Sequence, residues 1–178
     1  MCLCLGPRKS GKTLLMKKLQ GDEQIDEASH TVPTNGLNLF TIKNKDGHFS
    51  TVIKEIGGNM SPIWKHYFDK VGKIIYVIDT SNLCQISAAS VLLYSLIVEP
   101  KLQNTKFCLI LSKMDVSYRQ LRNEALLMLH FLRLQSEIKQ SMMIIEASAM
   151  TGIGIEKIRD WLFDPKTLKT AAASFLYK

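Results

Sequence analysis

The chain has 178 residues, 46% hydrophobic and 22% charged, with a formal net charge of +7 from 23 Lys and Arg against 16 Asp and Glu. This is ordinary globular composition for one cooperative domain, and no apolar run reaches the ~18 residues that a membrane span requires. The basic residues are scattered rather than interleaved with aromatics, which argues for a solvated surface and against a nucleic-acid partner.

Residues 1–5 read as an apolar strand. It runs into Gly6-Pro7-Arg8-Lys9-Ser10-Gly11-Lys12-Thr13, and then into Leu14-Leu15-Met16-Lys17-Lys18-Leu19, the body of a helix expected over 12–20. A G-x-x-x-x-G-K-T run where strand gives way to helix is a phosphate-binding loop: its glycines let successive N–H groups turn toward phosphate oxygens, and the helix N-terminus adds partial positive charge. In that reading Arg8, Lys9, Ser10 and Gly11 follow Gly6 around the phosphates, Lys12 reaches the β- and γ-phosphates, and the Thr13 hydroxyl ligates Mg²⁺.

Strands are then expected over 37–43 and 50–56, joined by Asn44-Lys45-Asp46-Gly47, whose Asp-Gly signals an antiparallel hairpin. Further strands follow over 73–79, 106–112 and 141–147, separated by helical patterns over 62–69, 87–98, 118–134 and 153–163. The result is an α/β doubly wound sheet of six strands, mostly parallel, with one antiparallel hairpin. The domain is expected to cover 1–164, with 165–178 a tail or short terminal helix. Cys2, Cys4, Cys84 and Cys108 lie in or beside apolar runs and read as reduced core residues.

In such a sheet the ligand lies over the carboxyl ends of the strands, so the loops there carry the remaining chemistry. Thr34, in the loop before the second strand, is placed to put a hydroxyl on Mg²⁺ beside the γ-phosphate. Gly57-Gly58 ends the third strand, where a glycine N–H can meet the γ-phosphate and the pair can change conformation when that phosphate leaves. Lys113 and Asp115 follow the fifth strand. The carboxylate would accept from guanine N1–H and the exocyclic amine while the Lys113 stem covers the ring, and Ser148-Ala149 would offer a backbone N–H to the guanine O6.

These segments, in this order, resemble the small GTPases. Thr31-Val32-Pro33-Thr34-Asn35-Gly36-Leu37-Asn38, and Gly57-Gly58 followed by Pro62-Ile63-Trp64-Lys65-His66-Tyr67-Phe68, are similar to the ADP-ribosylation-factor-like branch. The resemblance implies a P-loop GTPase fold in three layers, GTP and GDP with Mg²⁺ as cofactors, and hydrolysis as the reset of a molecular switch. It also implies an effector bound through the loops around Thr34 and Gly58, an exchange factor and an activating protein. The expected state is a cytoplasmic monomer, recruited by a partner to the cilium base or Golgi membranes. Direct membrane contact is not expected, because Cys2 stands where the family carries a myristoylated glycine and the chain end carries no prenylation cysteine.

The departures bear on mechanism. Asn59 stands where the family has the glutamine that orients attacking water, so Asn59 is the candidate catalytic residue and turnover is expected to be slow. Ser112 replaces the asparagine that braces the phosphate loop, Glu55 replaces the usual aspartate, and Lys54 and Leu37 replace a tryptophan and a phenylalanine of the effector surface. Two alternatives remain open at this point: a GTP-locked adaptor that does not cycle, and a P-loop phosphotransferase that uses ATP.

Overall fold

The computed structural model describes residues 1–21, 25, 32–117 and 119–164. Six strands form one sheet in the order β2-β3-β1-β4-β5-β6, where β1 is Cys2–Leu5, β2 Leu37–Lys43, β3 Ser50–Ile56, β4 Lys73–Asp79, β5 Lys106–Ser112 and β6 Met142–Glu146. All neighbours pair parallel except β2 with β3, where Asn38 faces Glu55 and Phe40 faces Ile53 across an antiparallel ladder. The parallel centre is buried on both faces and reads accordingly as continuous apolar runs such as Ile74-Ile75-Tyr76-Val77-Ile78.

Strand alternation divides the core in two. Leu3, Leu5, Ile74, Tyr76, Leu109 and Leu111 face α2 (Leu83–Ile97), α3 (Arg119–Met128) and α4 (Phe131–Glu137). Cys2, Cys4, Ile75, Val77, Cys108 and Ile110 face α1 (Lys12–Gln20) and α5 (Ile155–Phe163). Two helical layers around one sheet are the expected doubly wound architecture. This arrangement presents the loops after β1, β3, β4, β5 and β6 on one edge of the sheet.

Several boundaries differ from the sequence expectation. The helix expected over 118–134 is divided into α3 and α4 by His130, which takes a left-handed φ of +47°. That reversal leaves Leu129 buried before the break and Phe131 and Leu134 buried after it, an arrangement one straight helix would not give. Helix α2 begins at Leu83 rather than 87, because Asp79 Oδ1 accepts from both the N–H and the hydroxyl of Ser81 and closes the preceding turn. The short helix near Pro62 is a 3₁₀ segment that starts earlier, Gly58–Tyr67, and seats Trp64 in the core with its indole N–H donating to the Gly57 carbonyl at 3.3 Å. The hairpin loop is also longer than the Asp-Gly signal implies: it spans 44–49, with Gly47 N–H closing a turn on the Asn44 carbonyl. Of the four cysteines Cys84 is exposed, a correction to its reading as a core residue, while Cys2, Cys4 and Cys108 are buried. Burial pushes the Cys2 thiol up to about 12 and Cys4 well above its ordinary value, so both are inert apolar fillers. The expected tail, 165–178, lies outside the described residues, as do Thr31 and Tyr118.

Candidate functional site

The phosphate loop is held in shape from below. Gly6 has φ +145°, and a Cβ there would meet the Val77 carbonyl oxygen at 2.3 Å, so only glycine lets β1 run into the loop so close to β4. Ser10 is fully buried on the lining of the cleft, its hydroxyl has no hydrogen-bond partner among the described residues, and its carbonyl accepts from Ser112 Oγ at 2.7 Å. Ser112 Oγ also lies 2.9 Å from the Ile78 carbonyl, and its single proton serves one acceptor at a time. A hydroxyl thus bridges β5 to the phosphate loop in the place of the longer asparagine.

Lys12 is 6% exposed, and its ammonium donates to the carbonyls of Gly6 at 3.0 Å and Pro7 at 2.8 Å. Burial pushes its pKa below the ordinary lysine value, with Cys4 and Glu55 opposing. Thr13, in the first turn of α1, brings its hydroxyl 3.3 Å from Thr34 Oγ1. A cleft of about 150 Å³ lies above these groups, lined by residues 8–13, by Val32, Pro33 and Thr34, and by Glu55, Gly58 and Asn59. Arg8 and Lys9 are exposed at its mouth. The phosphate-loop, Thr34, Gly58 and Asn59 assignments are therefore all brought to one opening, though they span more than 50 positions of chain.

Two contacts explain the paired glycines at the end of β3. A Cβ on Gly57 would fall 2.0 Å from the Thr34 carbonyl oxygen, and one on Gly58 would fall 2.5 Å from Arg8 N and 2.6 Å from Pro7 C. The two loops and the phosphate loop are packed backbone against backbone.

The base-reading residues form a second cluster after β5 and β6. Asp115 is exposed, and its Oδ1 accepts from Ser148 Oγ at 2.6 Å; that hydroxyl in turn accepts from the N–H groups of Met150 and Thr151. Met114 N–H donates to the Ala147 carbonyl and joins the two loops. The Ser148 N–H already donates to the Ile153 carbonyl. Of the pair Ser148 and Ala149, only Ala149 N–H is left for a ligand among the described residues. The pair therefore keeps one N–H, that of Ala149, while the Ser148 hydroxyl contacts the Asp115 carboxylate.

Three participants were not in the sequence-derived site: Glu55, its partner Asn38, and Asp79. Glu55 is fully buried and accepts from Thr13 Oγ1 at 2.5 Å and from Asn38 Nδ2 at 2.9 Å. Asp79, 4% exposed, pairs with Lys113 Nζ at 2.6 Å and anchors the base loop to β4; Lys113 itself is held at φ +59°. The substitution of Glu55 for aspartate was the one sequence signal that pointed to any of them.

A phosphate loop between β1 and α1, with hydroxyls, paired glycines and base-reading loops on the same edge of a doubly wound sheet, defines a P-loop nucleotide-binding protein. The comparisons with known proteins narrow this. Residues 1–165 match the model of the ADP-ribosylation factor family, and the chain belongs to that family. It is 32% identical over 168 residues to human ADP-ribosylation factor-like protein 16, covering 91% of this chain and 84% of that protein. ADP-ribosylation factor-like protein 2 of Dictyostelium discoideum is 29% identical over 162 residues, with coverage of 90% and 83%. Among solved structures, the Arl6 small GTPase of Trypanosoma brucei, determined with a bound nucleotide analogue, GppNp, superimposes with a TM-score of 0.74 at 18% identity over 97% of this chain and 98% of that one. The chain is a small GTPase, a guanine-nucleotide switch that uses Mg²⁺, and its family works through effectors, exchange factors and activating proteins.

The donor set fits the cation: Thr13 Oγ1, Thr34 Oγ1 and the Glu55 carboxylate are hard oxygen donors from three elements meeting at one point. When bound, the cation supplies charge neutralisation for the transferring phosphoryl group.

Proposed function

We propose that the chain is a slow-cycling switch whose GTP-bound form presents the Thr34 and Gly58 loops together to a partner protein. The observation that carries this is the close packing of Gly57 on the Thr34 carbonyl and of Gly58 on the Arg8 and Pro7 backbone. Loops packed this way respond as a unit to a phosphate placed between them, and relax as a unit when it leaves. In this reading Lys12 and the backbone of residues 6–13 hold the phosphates, Arg8 and Lys9 add cationic charge at the mouth, and Gly58 N–H meets the γ-phosphate. Thr13 and Thr34 hold the cation. Asp115, oriented by Ser148, selects guanine, with the Lys113 stem on the ring and Ala149 N–H on the O6.

Hydrolysis requires a water aligned with the γ-phosphate, and Asn59 is exposed on the lining of the same cleft. Its amide falls one carbon–carbon bond, about 1.5 Å, short of the reach of a glutamine. A misplacement of about 1 Å can cost a hundredfold in a positioned reaction. Intrinsic turnover is accordingly slow, and an activating partner brings its own water-positioning group. Single-turnover hydrolysis by purified protein tests this: Asn59→Gln should be faster than wild type. Rapid wild-type hydrolysis that Asn59→Ala leaves untouched overturns it. We further infer, on family resemblance alone, a cytoplasmic monomer recruited by a partner to the cilium base or Golgi membranes. Imaging a tagged chain tests that assignment.

A further inference from the structure

Glu55 is a fully buried carboxylate with no lysine, arginine or histidine nitrogen within 4.0 Å among the described residues. Its two oxygens rest on neutral donors, the Thr13 hydroxyl and the Asn38 amide. Lys12 is the cation it influences, yet that ammonium is turned onto the Gly6 and Pro7 carbonyls. A buried charge without a counter-ion costs several kcal/mol, and such charges are ordinarily paired or coordinate metal.

We propose that Glu55 binds the Mg²⁺ directly, as a third protein ligand beside Thr13 and Thr34, with no water between carboxylate and metal. The inference rests on the reading of this cleft as a nucleotide and cation site, and adds a ligand to it. Thr13 Oγ1 lies 2.5 Å from Glu55 Oε1 and 3.3 Å from Thr34 Oγ1. Adjacent ligands of an octahedral Mg²⁺ with 2.0–2.1 Å bonds are about 2.9 Å apart, and the two observed separations bracket that edge. Asn38, facing Glu55 across the β2–β3 ladder, holds Oε2 and leaves Oε1 toward the hydroxyls, as a supporting group orients a ligating carboxylate. An aspartate on the same β3 backbone would stop about 1.5 Å short, the length of one carbon–carbon bond, and leave room for an intervening water. The consequence is a cation retained when the γ-phosphate is lost, because one anionic ligand belongs to the protein itself.

The experiment uses the full chain loaded with GDP and with Mn²⁺ in place of Mg²⁺, and counts metal-bound water by pulsed electron paramagnetic resonance in ¹⁷O-enriched water. Wild type should show one coordinated water fewer than Glu55→Asp. Glutamate labelled with ¹³C at its carboxyl should give a resolved Mn²⁺–¹³C coupling in wild type, a readout that needs no variant to fold. Glu55→Gln should weaken the affinity of the GDP complex for Mg²⁺ about tenfold, read from fluorescent GDP release against free Mg²⁺. GDP and Mn²⁺ bound with equal water counts and no ¹³C coupling overturn the assignment of Glu55 while leaving the switch intact. A chain that binds no guanine nucleotide overturns the switch, and this assignment with it.

Discussion

Replacing Gly58 with alanine separates the γ-phosphate contact from the rest of nucleotide binding. The added Cβ would stand 2.5 Å from Arg8 N, 2.6 Å from Pro7 C and 2.9 Å from the Gly6 oxygen, all backbone atoms of the phosphate loop and none a flexible side-chain end. Ordinary contact begins at 3.4 Å, so the segment carrying residue 58 must draw back from the phosphate loop by about 0.9 Å, the difference from 2.5 Å. Gly58 carries no left-handed φ, so the penalty is one of space and not of backbone conformation. A retreat of that size lengthens an N–H to phosphate bond from about 2.9 Å to well beyond hydrogen-bond range. Loss of a hydrogen bond to a charged group costs about 1.5–3 kcal/mol, roughly 10- to 150-fold in affinity. That loss should fall on GTP, while GDP, which lacks the γ-phosphate, should bind within about threefold of wild type. Fluorescence titration with a non-hydrolysable GTP analogue and with GDP, at one Mg²⁺ concentration, measures both. Equal losses for the two nucleotides, or none for either, would refute the reasoning.

Asp115→Asn should shift preference from GTP toward XTP by about 1–3 kcal/mol, since an amide offers an acceptor and a donor, which matches xanthine's N1–H and carbonyl but sets a donor against guanine's exocyclic amine; competition titration checks it, and ATP binding wild type as tightly as GTP would contradict the guanine assignment. Thr13→Asn should weaken GTP more than GDP because its hydroxyl serves a metal shared with the γ-phosphate, and parallel titrations that move both nucleotides equally would count against it. Ser112→Ala removes the donor from the Ser10 carbonyl at a site 4% exposed, so it should lower the melting temperature and speed GDP release, at a total cost of about 1–3 kcal/mol. Unchanged melting and release together would mean that the phosphate loop does not depend on that bridge.

The cooperation between these residues depends on the sheet more than on local chain preference. Ser112, Asp79 and Glu55 each end or lie in a different strand, and each fixes a group on a neighbouring loop or helix start: the Ser10 carbonyl, Lys113 and Thr13. Asp79 and Ser112 face each other in the β4–β5 register, so the phosphate loop and the base loop are braced from adjacent positions on the same pair of strands. A one-residue slip of either strand would turn its side chain to the opposite face of the sheet and part the two.

What the sequence by itself determined is whatever depends on neighbours along the chain. The phosphate loop is eight consecutive residues whose glycines, lysine and threonine carry their roles locally, and the strands and α1 announce themselves by apolar runs and period. The order of those segments was enough to place the cleft at one sheet edge. Tertiary structure alone decided contacts made between distant segments: Thr13 with Glu55 across 42 positions, Asn38 with Glu55 across 17, and Lys113 with Asp79 across 34. No periodicity encodes such pairs, because each partner's local pattern is satisfied whether or not the other is present. The same holds for the break at His130, whose left-handed backbone is stabilised by the burial of Phe131 and Leu134 against the sheet and not by any local helix-stop signal.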